Sequence, residues 1–371
     1  MPPEIETISI ENAIGSAVGV APSPSVAIDS AEPITKRERD RDYLDLKRRV
    51  TQAGLLERQY LYYAWKVPSV VAMVATCVAV LVFFNEILWL QMLNAVYLAF
   101  VFTNLGFLGH DSGHRQMFKK ARHNDWVLLS VGFLTGMTPS WWQDKHNTHH
   151  RAPNTNEVDK DIEVSLLAFT QEQAMAMRGI GRFTVRHQAV LFYPMLMLTS
   201  FSMLFGGIVY QMRQGRMRYP ITEPVLVVAG LAAYLGLIFF FLGPWHGALF
   251  IAVHRALGGL YMGSVFAPNH KGMPVLDEDN DLDFLHQQVL TARNVKGSPL
   301  ADFWYGGLNY QIEHHLFPNM PRNNLKKAQL IVRSFCKEKG ISYHETSVWQ
   351  SHKEILGFLH EVSAPLRQKK S

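Results

Sequence analysis

Four uncharged stretches punctuate the chain and predict helices that cross a membrane. They cover residues 67–84, 87–109, 189–212 and 225–243. Each is near the roughly 20 apolar residues that a helix needs to cross a hydrocarbon core of about 30 Å. Only two residues separate the first stretch from the second, so these two are expected to form a tight hairpin. Four such stretches favour an integral membrane protein over a soluble protein with four buried helices.

Two other apolar runs are expected to lie in the membrane interface. Residues 125–137 are too few to span and have a tryptophan at their edge. Residues 245–266 include His254 and Arg255, which argue against a fifth span. The predicted organisation is a disordered N-terminal lead over residues 1–40, a membrane domain over residues 41–345 and a C-terminal tail over residues 346–371.

Composition and charge agree with a membrane protein. The chain has 371 residues, of which 48% are hydrophobic and only 18% charged, with a net charge of +5. Basic clusters at 36–49 and 119–122 place their side of the spans in the cytoplasm, because lysine and arginine concentrate there. Residues 211–219 conflict with this orientation, since four spans would put their three arginines on the opposite side. No basic stripe with interleaved aromatic residues indicates nucleic acid as a partner.

Histidines recur in three short motifs with helical spacing. The motifs are HDSGH at 110–114, HNTHH at 146–150 and QIEHH at 311–315. Residues three or four apart share a face of a helix, so the histidines of each motif point the same way. Neutral imidazole is the commonest metal ligand and suits iron, zinc, copper and nickel. The candidate ligands, too many for one ion and suited to two, are His110, His114, His146, His149, His150, His270, His314 and His315.

The position of the motifs relative to the apolar stretches favours an enzyme that acts on lipid. The first motif begins where the second stretch ends, and the hairpin geometry returns the other two to the same cytoplasmic side. The metals would then lie just outside the bilayer. A metal transporter or metal sensor is the distant alternative, and it would need histidine or acidic residues within the spans. The four predicted spans lack such residues.

The three motifs resemble the histidine boxes of the membrane fatty acid desaturases. The segment GGLNYQIEHHLFPNMPR, residues 306–322, is especially similar to the third box of the front-end desaturases and their bacterial relatives. The resemblance extends from residue 60 to residue 345, in the same order and spacing. It implies an all-α integral membrane fold with four transmembrane helices and a cytosolic helical cap, in which the eight histidines bind two iron ions.

The resemblance also implies roles for polar residues beside the boxes. Gln311 occupies the place of the first histidine of the third box, and it is expected to contact iron directly or through water. Asp111, Asn154, Asp159 and Asp161 are expected to accept hydrogen bonds and orient the imidazoles. A solvated loop is the alternative interpretation of these acidic residues.

The implied activity is the insertion of a cis double bond into the acyl chain of a lipid or an acyl-CoA, with O2 as co-substrate. A front-end position, as in delta-5 or delta-6 enzymes, is the candidate regiochemistry. A lipid hydroxylase or an acetylenase on the same scaffold would have the same metals and boxes. The chain has no HPGG haem motif and no room for a fused cytochrome b5 domain before residue 60. We therefore expect a separate electron donor of the ferredoxin or cytochrome b5 type.

Overall fold

The computed structural model describes residues 36–213 and 215–368. Residues 1–35 of the predicted N-terminal lead lie outside the described residues, and a helix already begins at Lys36. The fold is almost entirely helical, which confirms the predicted all-α class. Two short strands, β1 and β2, pair in parallel. The elements are α1 Lys36–Gln52, α2 Tyr60–Phe83, α3 Leu88–Gly113, α4 Ala121–Thr135, α5 Pro139–Arg151, α6 Gln171–Ala176, α7 Gly179–Arg186, α8 Gln188–Leu196, α9 Thr199–Met212, α10 Thr222–His270, α11 Phe284–Leu290, β1 Asn294–Val295, α12 Pro299–Trp304, α13 Gln311–Leu316, a 3-10 turn Arg322–Asn324, α14 Leu325–Glu338, β2 Glu345–Thr346, α15 Val348–Val362 and α16 Ala364–Arg367.

Helices α2 and α3 form the predicted first hairpin, which two buried amides hold together. The Gln91 side chain donates to the carbonyl oxygens of Val80 (3.0 Å) and Phe84 (2.9 Å). One turn further along α3, Asn94 donates to the Cys77 carbonyl (3.0 Å). These bonds give a hydrogen-bond donor to carbonyl oxygens near the C-terminal end of α2, where a helix runs out of its own N–H donors. The turn is therefore fixed by side chains within the apolar stretches.

Helix α10 is a second hairpin, because the chain reverses at Gly243. This residue has φ 68° and ψ −178°, a conformation open to glycine but strained for other residues, and Pro244 follows it. The hydroxyl of Tyr234 lies 2.7 Å from Nδ1 of His254. In a straight helix these residues would be about 30 Å apart. The first arm, 222–242, and the second arm, 244–270, are therefore antiparallel.

The second arm contains residues 245–266, which were expected to lie in the membrane interface, and it packs against the helix bundle. Its charged residue, Arg255, is only 5% exposed. The guanidinium donates to the Thr135 carbonyl and the Ser200 hydroxyl, both at 3.4 Å. The rings of Phe102 and Tyr234 each lie 5.1 Å from its central carbon, a cation–π arrangement. These partners, distant in sequence, enclose His254 and Arg255 within the helix bundle, so the polar residues that argued against a fifth span are not exposed.

The third predicted span, residues 189–212, is not a single helix. Helices α8 and α9 meet at 70°, next to Pro194, which has no N–H to donate. Gln188, at the start of α8, donates to the Leu359 carbonyl in the cap (2.9 Å). Beyond α9, Arg218 pairs with Asp125 (3.0 Å) at the start of α4. The pair thus begins and ends on the side of the histidines.

Three described helices, α2, α3 and α10, are long and apolar enough to cross a membrane, whereas the bent α8–α9 pair has the course of a re-entrant segment because both its ends lie on the histidine side. The hairpins direct α3 and the second arm of α10 toward the same end, where the first motif and His270 lie. Arg115, just after the first motif, also pairs with Asp125. The basic segment 211–219 is consequently at the histidine end, which removes its conflict with the other basic clusters.

Helix α4, which contains most of residues 125–137, packs between the two hairpins. A Cβ atom at Gly230 of α10 would lie 1.8 Å from the Phe133 carbonyl oxygen, so α4 approaches α10 at backbone contact. Gly136 then ends α4 in a left-handed conformation with φ 77°. The chain turns back there into α5, which carries the second motif.

The cap, which includes α1, α13, α14 and α15, covers the histidine end of the hairpins. Ile312 of α13 lies in one buried cluster with Val332 of α14 and Leu46 of α1. Residues 346–368 of the predicted tail (346–371) also pack against the rest of the fold. Ile355 of α15 is fully buried in a cluster with Phe192 of α8. Helix α15 therefore packs against the main body and does not form a separate segment.

Candidate metal centre

Five of the predicted ligands converge on one point. Helix α3 ends at His110 and His114, α5 contributes His146 and His150, and α13 contributes His314. The Nε2 atoms of His110 and His314 are 3.0 Å apart, and those of His114 and His146 are 2.8 Å apart. His150 Nε2 lies 3.2 Å from that of His146 and 3.1 Å from that of His314. We call this the five-histidine group.

The other three predicted ligands form a second, neighbouring group. His149 Nε2 lies 3.3 Å from His270 Nε2, which is 3.0 Å from His315 Nε2. The rings of His150 and His315 stack at 4.2 Å, so the two groups adjoin. Within each group the potential ligand atoms all lie within 4.8 Å of one another. The structure thus brings all eight predicted histidines together, in two sets.

The three-histidine group has the chemistry of a cation site. Each Nδ1 is within hydrogen-bond distance of an oxygen that accepts, so the proton is on Nδ1 and the lone pair on Nε2. Three lone pairs that point at each other repel unless a cation lies among them. Metal–imidazole bonds of about 2.0–2.1 Å at right angles also place the nitrogens about 3 Å apart. The Nδ1 contacts are His149 with Asp159 (2.8 Å), His270 with the Thr291 carbonyl (3.0 Å) and His315 with Gln288 (2.8 Å).

The five-histidine group has the same Nε2 spacing. The Nδ1 atoms of His110, His150 and His314 are buried without a hydrogen-bond partner among the described residues. Burial, together with the neighbouring imidazoles, holds the pKa values of His146, His150 and His314 well below their usual range. These side chains are therefore neutral at pH 7, which is the form that binds metal.

The local folding of the motifs explains the convergence. Helix α5 begins with Pro139 at its first position, which suits the N-terminus of a helix because proline has no N–H to leave open. From there the spacing of i, i+3 and i+4 sets His146 and His150 toward one group and His149 toward the other. Adjacent histidines in α13 divide in the same way, with His314 in the five-histidine group and His315 in the three-histidine group.

Gln311 lies at the three-histidine group. Its Nε2 is 3.0 Å from His270 Nε2, and its Oε1 accepts a hydrogen bond from Asn269 (3.0 Å). The hydrogen bond from Asn269 thus sets which of the two amide atoms of Gln311 faces His270. This residue is buried and belongs to the same surface of α13 as the third motif's histidines. The position is the one that the sequence predicted for a ligand or a water-bridged contact.

The four predicted orienting residues differ in what they contact. Asp159 accepts from His149, whereas Asp161 is 3.6 Å from the same Nδ1 and pairs with Lys145. Asn154 has φ 51° and donates to the main-chain carbonyl of His270 (3.0 Å), so it positions the backbone and not an imidazole. These contacts lie in a packed polar loop, not in a solvated one.

Asp111 connects the first motif to the segment after the third. Its Oδ2 pairs with Arg322 at 3.0 Å and accepts from the Tyr63 hydroxyl at 3.2 Å, while its Oδ1 lies 3.5 Å from His110 Nδ1. Asp111 and Arg322 are both almost completely buried. Nothing in the local sequence pattern separates Arg322 from a surface arginine, so its contact with Asp111 was not predictable.

Trp142 is a further residue that the sequence analysis left without a role. Its indole stacks on His146, with ring centroids 4.5 Å apart and planes at 23°, and its edge meets His110 and His114. Gly113 leaves the space that this indole occupies, since a Cβ there would lie 2.3 Å from the ring. The contact could have been predicted from the sequence, because Trp142 precedes His146 by four residues and so lies on the same helix face.

Comparison with known families identifies relatives over most of the chain. The model of the family described as "Fatty acid desaturase" matches residues 87–347. A Delta(6)-fatty-acid desaturase of Caenorhabditis elegans is 32% identical over 80% of this chain and 69% of its own length. A Delta(5) fatty acid desaturase of the same organism is 28% identical over 89% of this chain and 76% of its own length.

A plant relative is longer than this chain. The acyl-lipid (9-3)-desaturase of Physcomitrium patens is 29% identical over 87% of this chain, but this alignment covers only 63% of the relative. The chain therefore spans less than two thirds of that protein. Relatives named as delta-8 desaturases match as well, at 26–27% identity.

Proposed function

Since the chain belongs to the fatty acid desaturase family, we propose that it inserts a cis double bond into a fatty acyl chain, using O2 and two electrons at a centre of two iron ions. The observation that supports this best is the convergence of eight imidazoles into two adjoining groups at one end of two apolar hairpins. Two groups suit two ions. Neutral imidazole suits iron, among other metals.

The five-histidine group would hold one ion, and the three-histidine group with Gln311 the other. Once bound, the iron pair supplies the oxidising power that breaks unactivated C–H bonds, which protein side chains cannot do. The overall reaction balances as R–CH2–CH2–R′ + O2 + 2 e⁻ + 2 H⁺ giving R–CH=CH–R′ + 2 H2O.

The contribution of the protein is position and exclusion of water. The carboxylate of Asp159 and the amide of Gln288 hold two imidazoles in the tautomer whose Nε2 lone pair faces the ion. The indole of Trp142 closes one side of the five-histidine group. Asp159 and Gln288 are completely buried, so this part of the centre would be shielded from solvent during the reaction.

We further propose that both hairpins cross the membrane, giving four passes with the histidine end in the cytoplasm. The connections at the opposite end, residues 84–87 and 243–246, contain no lysine or arginine. They are bordered by exposed aromatic residues, Trp89 (66%), Phe240 (81%) and Trp245 (85%), which are typical of a membrane interface. The basic clusters all lie toward the histidine end, as expected for the cytoplasmic side.

For the substrate we propose an acyl-lipid or an acyl-CoA, with the double bond on the front-end side, as the names of the delta-5, delta-6 and delta-8 relatives indicate. Electrons would come from a separate carrier of the ferredoxin or cytochrome b5 type. The deciding experiment is expression in a host of known lipid content, fed with defined fatty acids. Mass spectrometry of the lipid classes should find a product two hydrogens lighter, with its bond located by derivatisation.

The control is the His315→Ala variant, which should insert in the membrane without forming the product. A product heavier by one oxygen atom would show that the enzyme is a hydroxylase and not a desaturase. A second unsaturation at an existing double bond would indicate an acetylenase. Absence of any modified lipid, with iron loaded and electrons supplied, would refute the proposal.

A further inference from the structure

Helix α14 has a basic face that is exposed to solvent. Its apolar face packs against α13, the helix of the third histidine motif. Lys326, Lys327, Arg333 and Lys337 are all exposed, and Leu330 among them is 72% exposed. Lys326, Leu330, Arg333 and Lys337 recur at intervals of three or four residues and Lys327 is next to Lys326, so they lie on one side of the helix. We call this the α14 basic face.

Helix α14 carries an excess of positive charge, although Lys339, just after it, pairs with Asp42 at 2.7 Å. Residues 325–339 contain five lysines and arginines against a single acid, Glu338, and Glu338 is engaged by Arg49 at 2.7 Å. Two of the basic side chains also have acidic neighbours, Lys326 with Asp302 and Arg333 with Glu345. An exposed leucine surrounded by basic groups has the arrangement of a protein interface, with an apolar centre and a polar rim.

The opposite face of α14 reaches the third histidine motif directly. Val332 and Ala328 are completely buried in the cluster that contains Ile312 and Leu316 of α13. Packed helices lie about 8–10 Å apart. A protein seated on the α14 basic face would thus be separated from His314 and His315 by one helix layer.

A hydrogen-bonded route crosses that layer. A shallow surface pocket, formed by Leu330, Arg333, Lys337 and their neighbours, has Tyr343 on its wall. The Tyr343 hydroxyl donates to Glu313 at 2.8 Å. Glu313 is completely buried and directly precedes His314 in the chain. One hydrogen bond therefore links the pocket wall to the residue beside a predicted ligand.

We propose that the α14 basic face is the docking site for the electron donor, an acidic carrier protein that delivers one electron at a time. The inference rests on the proposed function, since desaturation needs two electrons that neither the acyl chain nor O2 supplies. Two reduced carriers are each oxidised by one electron per turnover. These electrons, two protons and the two hydrogens of the acyl chain convert O2 to two waters. Opposite charge would orient the carrier and raise its rate of association.

The test uses the full-length, iron-loaded enzyme in nanodiscs of neutral phosphatidylcholine. Turnover is measured with reduced cytochrome b5 haem domain and with reduced plant-type ferredoxin, two acidic carriers. Separately, methyl viologen, a small cationic mediator that O2 would oxidise, reduces the iron under anaerobic conditions and is removed, and O2 then starts a single turnover. The test variant is Lys327→Glu with Lys337→Glu. The matched control is Lys119→Glu with Lys353→Glu, the same change of charge at exposed positions away from α14.

We expect the test variant to lose about tenfold or more in kcat/KM for the carrier at low ionic strength, mostly through KM, with the difference shrinking as salt is added. Turnover with methyl viologen should stay at the wild-type level, and the control variant should match wild type with both electron sources. Equal losses in test and control variants would overturn the docking site. So would a wild-type enzyme that works with methyl viologen but with neither acidic carrier.

Other outcomes separate this inference from the proposed function. If the wild type forms no unsaturated product with any electron source, the proposed function fails and the docking site with it. If the test variant loses turnover with methyl viologen too, the face supports the structure and does not dock a carrier. Tyr343→Phe gives a second readout. It should lower kcat with the carrier while leaving both KM for the carrier and turnover with methyl viologen unchanged.

Discussion

The contact between Gly113 and Trp142 gives the sharpest test of how the first and second motifs are held together. In Gly113→Ala the new methyl carbon would lie 2.3 Å from one indole carbon and 3.0 Å from the next. Carbon atoms settle about 3.5–4.0 Å apart, so the indole must retreat by more than about 1 Å. That ring stacks on His146 at 4.5 Å. The displacement therefore reaches a predicted ligand.

The expected energies separate a folding defect from a metal defect. Overpacking costs about 1–3 kcal/mol, while alanine in place of a helical glycine returns about 1 kcal/mol. The variant should therefore fold, with a melting temperature within a few degrees of wild type. Disturbing a residue that supports a ligand typically costs about 10–100-fold in metal affinity or activity. Gly113→Ala should lose iron, product or both to that extent.

The assay combines three measurements on the same purified protein: iron per chain by mass spectrometry, product formation, and the melting temperature. Trp142→Phe removes the part of the indole that meets the methyl group. The double variant Gly113→Ala with Trp142→Phe should therefore recover iron relative to Gly113→Ala alone. Wild-type iron and product in Gly113→Ala, or a double variant no better than the single one, would refute the role assigned to this contact.

Three further predictions concern other parts of the chain. His315→Ala should abolish product and lower iron content, whereas His352→Ala, which lies outside both histidine groups, should keep near-normal activity. Gln311→His should retain iron with reduced turnover and Gln311→Leu should lose most activity. Full turnover and iron in the leucine variant would remove this residue from the site. Burial raises the pKa of Glu354, but the hydrogen bond from His344 and nearby positive charge prevail and lower it to about 2 from an ordinary 4.5. The stability from this carboxylate is complete above pH 4.5 and falls as pH drops toward 2, so thermal melting between pH 5 and 3 should show a steeper loss for wild type than for Glu354→Gln.

The histidine groups were predictable because the information in each motif is local. Intervals of three and four residues place His146, His149 and His150 on one side of a helix whatever the rest of the chain does. Their division between two groups was not predictable. It depends on where α3, α10 and α13 end relative to α5, and those distances arise from tertiary packing. The Nδ1 partners Gln288 and Thr291 escaped notice for the same reason.

The course of the chain between the motifs was harder to predict than the motifs. Residues 189–212 are uncharged and long enough to span, yet the helix breaks after Pro194. Residues 245–266 were judged too polar, yet they return along the first arm of α10. Hydropathy records what a residue prefers in isolation. It cannot include the burial of Arg255 by Thr135 and Ser200, which belong to segments that arrive from elsewhere in the sequence.

The enclosed guanidinium of Arg255 has a consequence for biogenesis. A central arginine costs about 2.5–3.5 kcal/mol when a helix enters the bilayer alone. The Thr135 carbonyl and the Ser200 hydroxyl reduce that cost, but both belong to segments that dip into the bundle and return. If the second hairpin crosses the membrane as proposed, its arginine would lack these partners until α4 and the α8–α9 pair dock against it. Quality-control machinery that recognises an exposed intramembrane charge would then act on chains in which these dipping segments have failed to assemble.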